Sequence, residues 1–150
     1  MKCPFCQSAD ISVKDSRNTD ENRVVRRRRY CSNCGGRFTT FERIQIRELV
    51  VIKRTGSKRP FDRTKIFNSI ETALRKRNFT DQQVDKFTDK IVVELESSSS
   101  REINSRMIGK LIMHELAKID QVAYIRFASV YKDFATVQDF AKFIGMINNH

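Results

Sequence analysis

The residues with the most definite chemistry are four cysteines, set as Cys3-Pro4-Phe5-Cys6 and Cys31-Ser32-Asn33-Cys34, and the chain has no others. Two residues between sulfurs let one tight turn aim both thiolates at one ion, and two such turns complete a tetrahedral site. The 24 residues between Cys6 and Cys31 leave room for a small antiparallel hairpin. Two disulfides or a redox dithiol are the competing readings. The first belongs to an oxidising compartment, and the N-terminus shows no secretory signal with an apolar stretch. The second normally occurs once, beside a βαβ pattern that is missing here. The spacing therefore predicts one structural Zn2+ per chain, held by Cys3, Cys6, Cys31 and Cys34. Four thiolates leave no open coordination position, so the ion is expected to hold the segment together and do no chemistry.

The elements that must position these sulfurs can be read from the residues between them. Ile11 and Val13 alternate with polar neighbours and suggest a strand, and Asn18 to Asn22 reads as a turn. Arg23 to Tyr30 then returns into Cys31, and Arg37 to Glu42, after Gly35-Gly36, reads as a third strand. The expected unit is a zinc ribbon over residues 1–45, with metal replacing the burial so short a segment lacks. Its returning strand carries Arg26, Arg27, Arg28 and Arg29, whose side chains alternate between two faces. Guanidinium forks match phosphates and read guanine edges. These four, with Arg17 and Arg37, are therefore candidate DNA-binding residues, against the plainer reading of a solvated basic strand. Phe38 and Phe41 are expected in the packing rather than stacked on bases.

A net charge of +11 over 150 residues favours a polyanionic partner. Residues 1–48 hold eleven Lys and Arg against six Asp and Glu, and residues 49–150 hold eighteen against twelve. The excess is thus spread along the chain, and the arginine run is its informative part. No window approaches the ~18 consecutive apolar residues of a membrane helix, so no membrane partner is expected. The cytoplasm, where thiols stay reduced, is the expected compartment.

The second half changes character. Leu49 to Arg54 is β-rich, Thr55-Gly56-Ser57-Lys58 reads as a turn and Arg59-Pro60-Phe61 returns, which predicts a hairpin after a connector at 46–48. Asp62 is a plausible cap for a helix from Arg63 to about Arg77. Thr80-Asp81-Gln82-Gln83 opens a second helix with a capping box. Ser97 to Ser100 is expected as a mobile loop. A third helix starts after Asn104 or Ser105, a fourth carries Val122, Ile125 and Ala128 inward, and a last runs from Val137 to about Ile147. The fold class is α+β: a small β ribbon, then a helical bundle capped by a β-hairpin. Neither common glycine-rich phosphate cradle is present. Lys53, Arg54, Lys58, Arg59 and Lys65 nevertheless gather at the hairpin and the first helix start, where an anion can bind. A solvated basic face is the alternative.

Leu49 to Ser57, followed by Pro60-Phe61-Asp62 and Lys65-Ile66, resembles the opening of an ATP-cone, a nucleotide-binding regulatory module. The knuckle Cys3-Pro4-Phe5-Cys6, the Asp15-Ser16-Arg17 and Arg26–Arg29 segments, Arg37 to Glu42, and Val122 to Tyr131 together resemble the bacterial NrdR repressor family. The resemblance implies an ATP-cone over 49–139 and a helical tail at 140–150. It implies a transcriptional repressor of ribonucleotide reductase genes that binds paired operator boxes in double-stranded DNA. ATP or dATP, with Mg2+, would act as allosteric ligands and change the size of a homo-oligomer: a dimer, a tetramer or larger. Carried over by position, Val51, Lys53, Arg54 and Lys65 would hold nucleotide, with Arg59, Tyr124 and Tyr131 as further candidates. Arg59 stands where many cones have an acidic residue and Asn104 where the family often has proline. The implied protein is cytoplasmic, nucleoid-associated when on DNA, and not an enzyme. His114 reads as a helix-surface residue and His150 as a terminal one, so neither is a candidate base. The competing readings are a zinc-ribbon nucleic-acid binder without nucleotide switching, a fragment of a reductase, and an ATP hydrolase. All four cysteines are committed to metal, which leaves none for reductase chemistry.

Overall fold

The arginine run forms the central strand of a three-stranded antiparallel sheet. The computed structural model describes residues 1–19 and 24–147; Asp20 to Asn22 of the expected 18–22 turn, Arg23 and His150 lie outside the described residues, and Asn18 and Thr19, expected in that turn, continue the first strand. Strands β1 (Ile11–Thr19), β2 (Val24–Cys31) and β3 (Arg37–Arg43) pair in the order β1-β2-β3. Arg26 stands between Arg17 and Phe41, Arg27 between Ser16 and Thr40, Arg28 between Asp15 and Thr39, and Arg29 between Val13 and Phe38. A register shift between Val13 and Asp15 marks a bulge in β1. Within this unit, Met1–Gln45, the described buried apolar side chains are Cys3, Val24 and Cys31. Phe38 is half-buried, its ring edge-on to Phe5 at 6.4 Å. Phe41, expected in the packing, is 46% exposed and lies under the Arg43 guanidinium at 5.2 Å. The register places Phe41 on the opposite face from Phe38, so in a single-layer sheet the two rings do not share one cluster.

The second unit, Ile46–His150, is built on a short strand paired on both edges. Strand β4 (Val50–Ile52) runs antiparallel to β5 (Lys58–Pro60) across the turn at Gly56, whose φ of +81° suits glycine. Its other edge pairs in parallel with β6 (Glu102–Asn104), so that buried Val51 faces buried Ile103. Lys58 on β5 pairs with Glu102 on β6. The expected hairpin lid is thus two-thirds of a mixed sheet. Three residues are too few to show a strand period, and the partner strand lies about fifty residues away, which is why β6 is silent in the sequence.

Five helices among the described residues pack against this sheet and each other. Helix α1 (Arg63–Ala73) is capped by Asp62, which accepts from the Thr64 N–H at 2.9 Å. It stops short of the expected Arg77, because Lys76 takes a φ of +62° and Arg126 donates to the Ala73 and Arg75 carbonyls at 3.3 and 2.7 Å. Helix α2 (Asp81–Ser97) opens with the full Thr80–Gln83 capping box. Helices α3 (Ser105–Ile119) and α4 (Gln121–Tyr131) meet at Asp120, which ends one and caps the other. Helix α4 keeps part of the expected face: Ala128 is fully buried and Ile125 half-buried as expected, but Val122 is 42% exposed and Ala123 is buried in its place. Alanines let neighbouring elements approach closely, and Tyr124 and Phe127 fill the flanks. Helix α5 (Val137–Ile147) adds a smaller cluster in which Phe143 meets Tyr124 at 5.7 Å and Phe134 at 5.3 Å. The connector is anchored: Ile46 donates its N–H to the buried Glu96 carboxylate at 3.0 Å, and Arg47 donates to the Ser98 and Ser99 carbonyls. His114 lies exposed on α3.

Two carboxylates are held charged in this unit. Burial pushes the Glu115 pKa upward, but hydrogen bonds from Lys118 and Lys90, at 2.8 and 2.7 Å, outweigh it and hold the group below the carboxylate range. Burial also opposes Asp120, which the Ala123 N–H and Arg77 hold down. A depressed folded pKa gives stability that is present above the unfolded values of about 4 and is lost as pH falls through the folded ones. Thermal unfolding followed by circular dichroism should show Tm dropping steeply below about pH 4. Glu115→Gln should lower stability by about 1 kcal/mol at neutral pH and flatten that drop. An unchanged acid limb would remove Glu115 from the account.

Candidate functional site

Two turns bring the four sulfurs together at one end of the ribbon. The Gln7 N–H donates to the Cys3 carbonyl and Gly35 N–H to the Cys31 carbonyl, both at 2.9 Å, closing each Cys-x-x-Cys turn. Gln7 and Gly35 take φ of +60° and +70° to do so. The sulfurs all lie within 4.8 Å of one another, with Cys3–Cys34 at 3.7 Å and Cys6–Cys31 at 3.6 Å. A disulfide needs about 2.05 Å, so none is present. A tetrahedron with Zn–S bonds of about 2.3 Å has S–S edges of about 3.8 Å, so the donor set fits zinc in distance and chemistry. Cys3 and Cys31 are fully buried, Cys6 is half-buried and Cys34 exposed. A Cβ on Gly36 would come within 2.5 Å of the Phe5 ring, so glycine is required there for Phe5 to pack beside the knuckle.

Without a cation the thiols compete for protons. The Asn33 amide, 3.5 Å from the Cys6 sulfur, and the Ser8 backbone lower Cys6 to about 6 against its desolvation. The Gly36 N–H favours the Cys34 thiolate, but hydrogen bonding to Cys6, desolvation, and its other cysteine neighbours push Cys34 up to about 12. One sulfur takes charge at another's expense, and only a metal allows all four to ionise.

The sheet separates the arginines by face. Arg27 and Arg29 point to one side. There Arg27 makes a two-pronged pair with Glu42 at 2.8 and 3.0 Å, and Arg29 donates to the Thr40 hydroxyl at 2.8 Å. Arg27 in turn holds the Glu42 carboxyl below its ordinary range. The cross-strand partners place Arg17, Arg26, Arg28 and Arg37 on the other face, together with Asp15. Arg17 pairs with Asp15 at 3.1 Å and is 71% exposed. Arg26, Arg28 and Arg37 have no side-chain partner among the described residues.

In the second unit a cavity of about 190 Å³ opens between β4, β5, α1, α3 and α4. Its rim carries Lys53, Arg59 and Lys65, all exposed, and its depth carries Val51, Ile108 and Phe127. The N-termini of α1 and α3 both reach it, through Asp62 and Ser105, adding the positive ends of two helix dipoles. Of the seven sequence candidates, Val51, Lys53, Arg59, Lys65 and Tyr131 line this cavity, and Arg54 and Tyr124 do not. Tyr124 packs on Phe143 instead, and Arg54 turns to the end of α4. Ser69, Ser105 and Gly109 also line the cavity. Gly109 alone carried a signal, as a glycine inside a helical pattern.

A metal-knuckled basic sheet and a cationic, helix-ended cavity stand on one chain, which makes it a two-part protein: a zinc ribbon joined to a unit whose cavity suits an anion. The family comparisons fall on the same two parts. The NrdR-like transcriptional repressor N-terminal domain matches residues 1–42, and the ATP cone domain matches residues 49–137. The chain is 51% identical over 145 residues to a transcriptional repressor NrdR of Mesorhizobium japonicum, covering 97% of this chain and 91% of that one. It is 53% identical over 144 residues to that of Rhodospirillum centenum, covering 96% and 94%, and 51% identical over 148 residues to that of Rhizobium etli, covering 99% and 94%. The chain belongs to the NrdR family.

Replacing Cys31 with Ser should abolish stoichiometric zinc, read by metal release to a chromogenic chelator, and unfold the ribbon while the helical signal of the second unit persists. Acidification should release zinc from the wild-type protein as the thiolates protonate. Retention of one zinc per chain by the Cys31 variant would refute the four-sulfur site.

Proposed function

We propose that this protein is a nucleotide-responsive repressor of ribonucleotide reductase genes, cytoplasmic and bound to operator DNA through the ribbon. Zinc fixes the sheet, and Arg17, Arg26, Arg28 and Arg37 on its less paired face meet the DNA. Arg27 and Arg29 serve that face from behind, by tying β2 to β3 through Glu42 and Thr40. The observation that carries the reading is the joining, in one chain, of this arginine face to the cation-rimmed cavity. ATP or dATP is the proposed occupant. At about 190 Å³ the cavity is smaller than the ~300 Å³ of common ligand sites. It would therefore enclose the nucleoside part and leave the phosphates, with Mg2+, against Lys53, Arg59 and Lys65. Nucleotide shifts an assembly equilibrium only if it binds the two states with different affinity. The proposed output is a change in homo-oligomer size that re-spaces the paired ribbons on repeated half-sites. The role is regulatory rather than enzymatic.

The test is fluorescence anisotropy with a reductase-gene promoter fragment, using zinc-loaded protein without nucleotide, with ATP or with dATP, and light scattering on the same samples. Affinity and mass should both differ between the two nucleotides. Equal binding in all three conditions would leave a nucleic-acid-binding ribbon and refute the switch. Arg28→Ala should weaken DNA binding and reduce the slope of log affinity against log salt by about 1. Arg27→Ala should act mainly by loosening the ribbon. The reverse pattern would exchange the roles of the two faces.

A further inference from the structure

Arg54 follows Lys53 in sequence, yet only Lys53 lines the cavity. The Arg54 guanidinium is spent on the end of α4. It donates to the Tyr131 carbonyl at 2.6 Å, stands 3.7 Å from the Asp133 carboxylate, and lies over the Tyr131 ring at 5.7 Å. Asp133 takes a φ of +55°, a left-handed conformation that Asp adopts more readily than most non-glycine residues, just past the end of α4. The Tyr131 ring is fixed from two further sides. It stacks on Phe127 at 5.6 Å and 21°, and its hydroxyl donates to the Arg106 carbonyl at 2.6 Å. It also sits directly on Gly109, where an added Cβ would fall within 2.5 Å of three ring carbons. Tyr131, Phe127 and Gly109 all line the cavity.

We infer that Arg54 is a positioning residue: it fixes the end of α4 so that the Tyr131 ring lies flush on Gly109 and forms the apolar wall of the cavity, and it touches no nucleotide itself. The inference rests on the reading of this cavity as the nucleotide site. It assigns the phosphate-facing charge to Lys53, Arg59 and Lys65, and makes Gly109 the residue whose missing side chain sets the depth of the site. A phosphate ligand and a wall-setting residue differ in what they do to a ligand without phosphates. Loss of the first spares adenosine; loss of the second does not.

The experiment is titration calorimetry of the full, zinc-loaded chain with ATP and with adenosine. Arg54→Ala should weaken both ligands by the same factor, about tenfold, while Lys53→Ala weakens ATP and spares adenosine. A loss confined to ATP would make Arg54 a phosphate ligand and overturn the inference, as would unchanged binding of both. The seat is tested separately by thermal unfolding. Gly109→Ala should lower Tm, and adding Tyr131→Ala should abolish that penalty, leaving the double variant no less stable than Tyr131→Ala alone. Additive penalties would mean that Gly109 does not serve the ring. Failure of the wild-type chain to bind either ligand would refute the nucleotide reading itself, whereas wild-type binding with unaltered Arg54→Ala refutes only this inference.

Discussion

Four sulfurs within 4.8 Å of each other can be negative together only around a cation, and the ribbon depends on that constraint. Its buried apolar residues among those described are two of the metal ligands and Val24, so the unit has almost no hydrophobic core to fall back on. Its sheet also works against itself. Arg17 stands opposite Arg26, and like charges across neighbouring strands repel. Glu42 and Thr40 relieve one face and Asp15 part of the other. The remaining positive charge is left on a frame that the sulfur cluster holds closed, and a polyanion would relieve it.

The second unit solves a different problem. No glycine-rich phosphate loop is used. Instead, β4 is paired on both edges, which gathers elements from distant parts of the chain around one strand. The antiparallel partner brings Arg59, and the chain then enters α1 with Lys65 one turn in. The parallel partner leads directly into α3, with Asn104 capping its first turn at 3.0 Å. Two helix N-termini and three cations reach one small cavity as a result. The anchoring of Ile46 and Arg47 to the end of α2 fixes where the chain enters this unit.

Much of this was legible because it is local. Cysteine spacing marked the sulfur cluster, the Thr80–Gln83 box marked a helix start, and Asp62 marked another. The features that were not legible are those made by distant partners. Strand β6 exists only through its pairing with β4. The end of α1 is set by Arg126, about fifty residues away, and the burial of Ala123 in place of Val122 by the close packing of α4. The division of the arginine run was half legible: alternation was required by strand geometry, but which pair is tied down depended on Glu42 and Thr40 in the neighbouring strand. Lys53 and Arg54 look equivalent in sequence and are separated only by where each side chain ends.

Asp120 ends α3 and begins α4 with nothing between them. Gly109 and Tyr131, which face each other in the cavity, each stand eleven residues from it. The two helices are thus two rods joined at a single residue and in contact again near their far ends, where the Tyr131 ring lies on Gly109. At about 1.5 Å per residue each arm is roughly 16 Å long, so a turn of about 5° at the pivot opens the tips by about 1.4 Å, close to the radius of a water molecule. With that leverage, the seat of the ring on Gly109 sets the angle between the two rods.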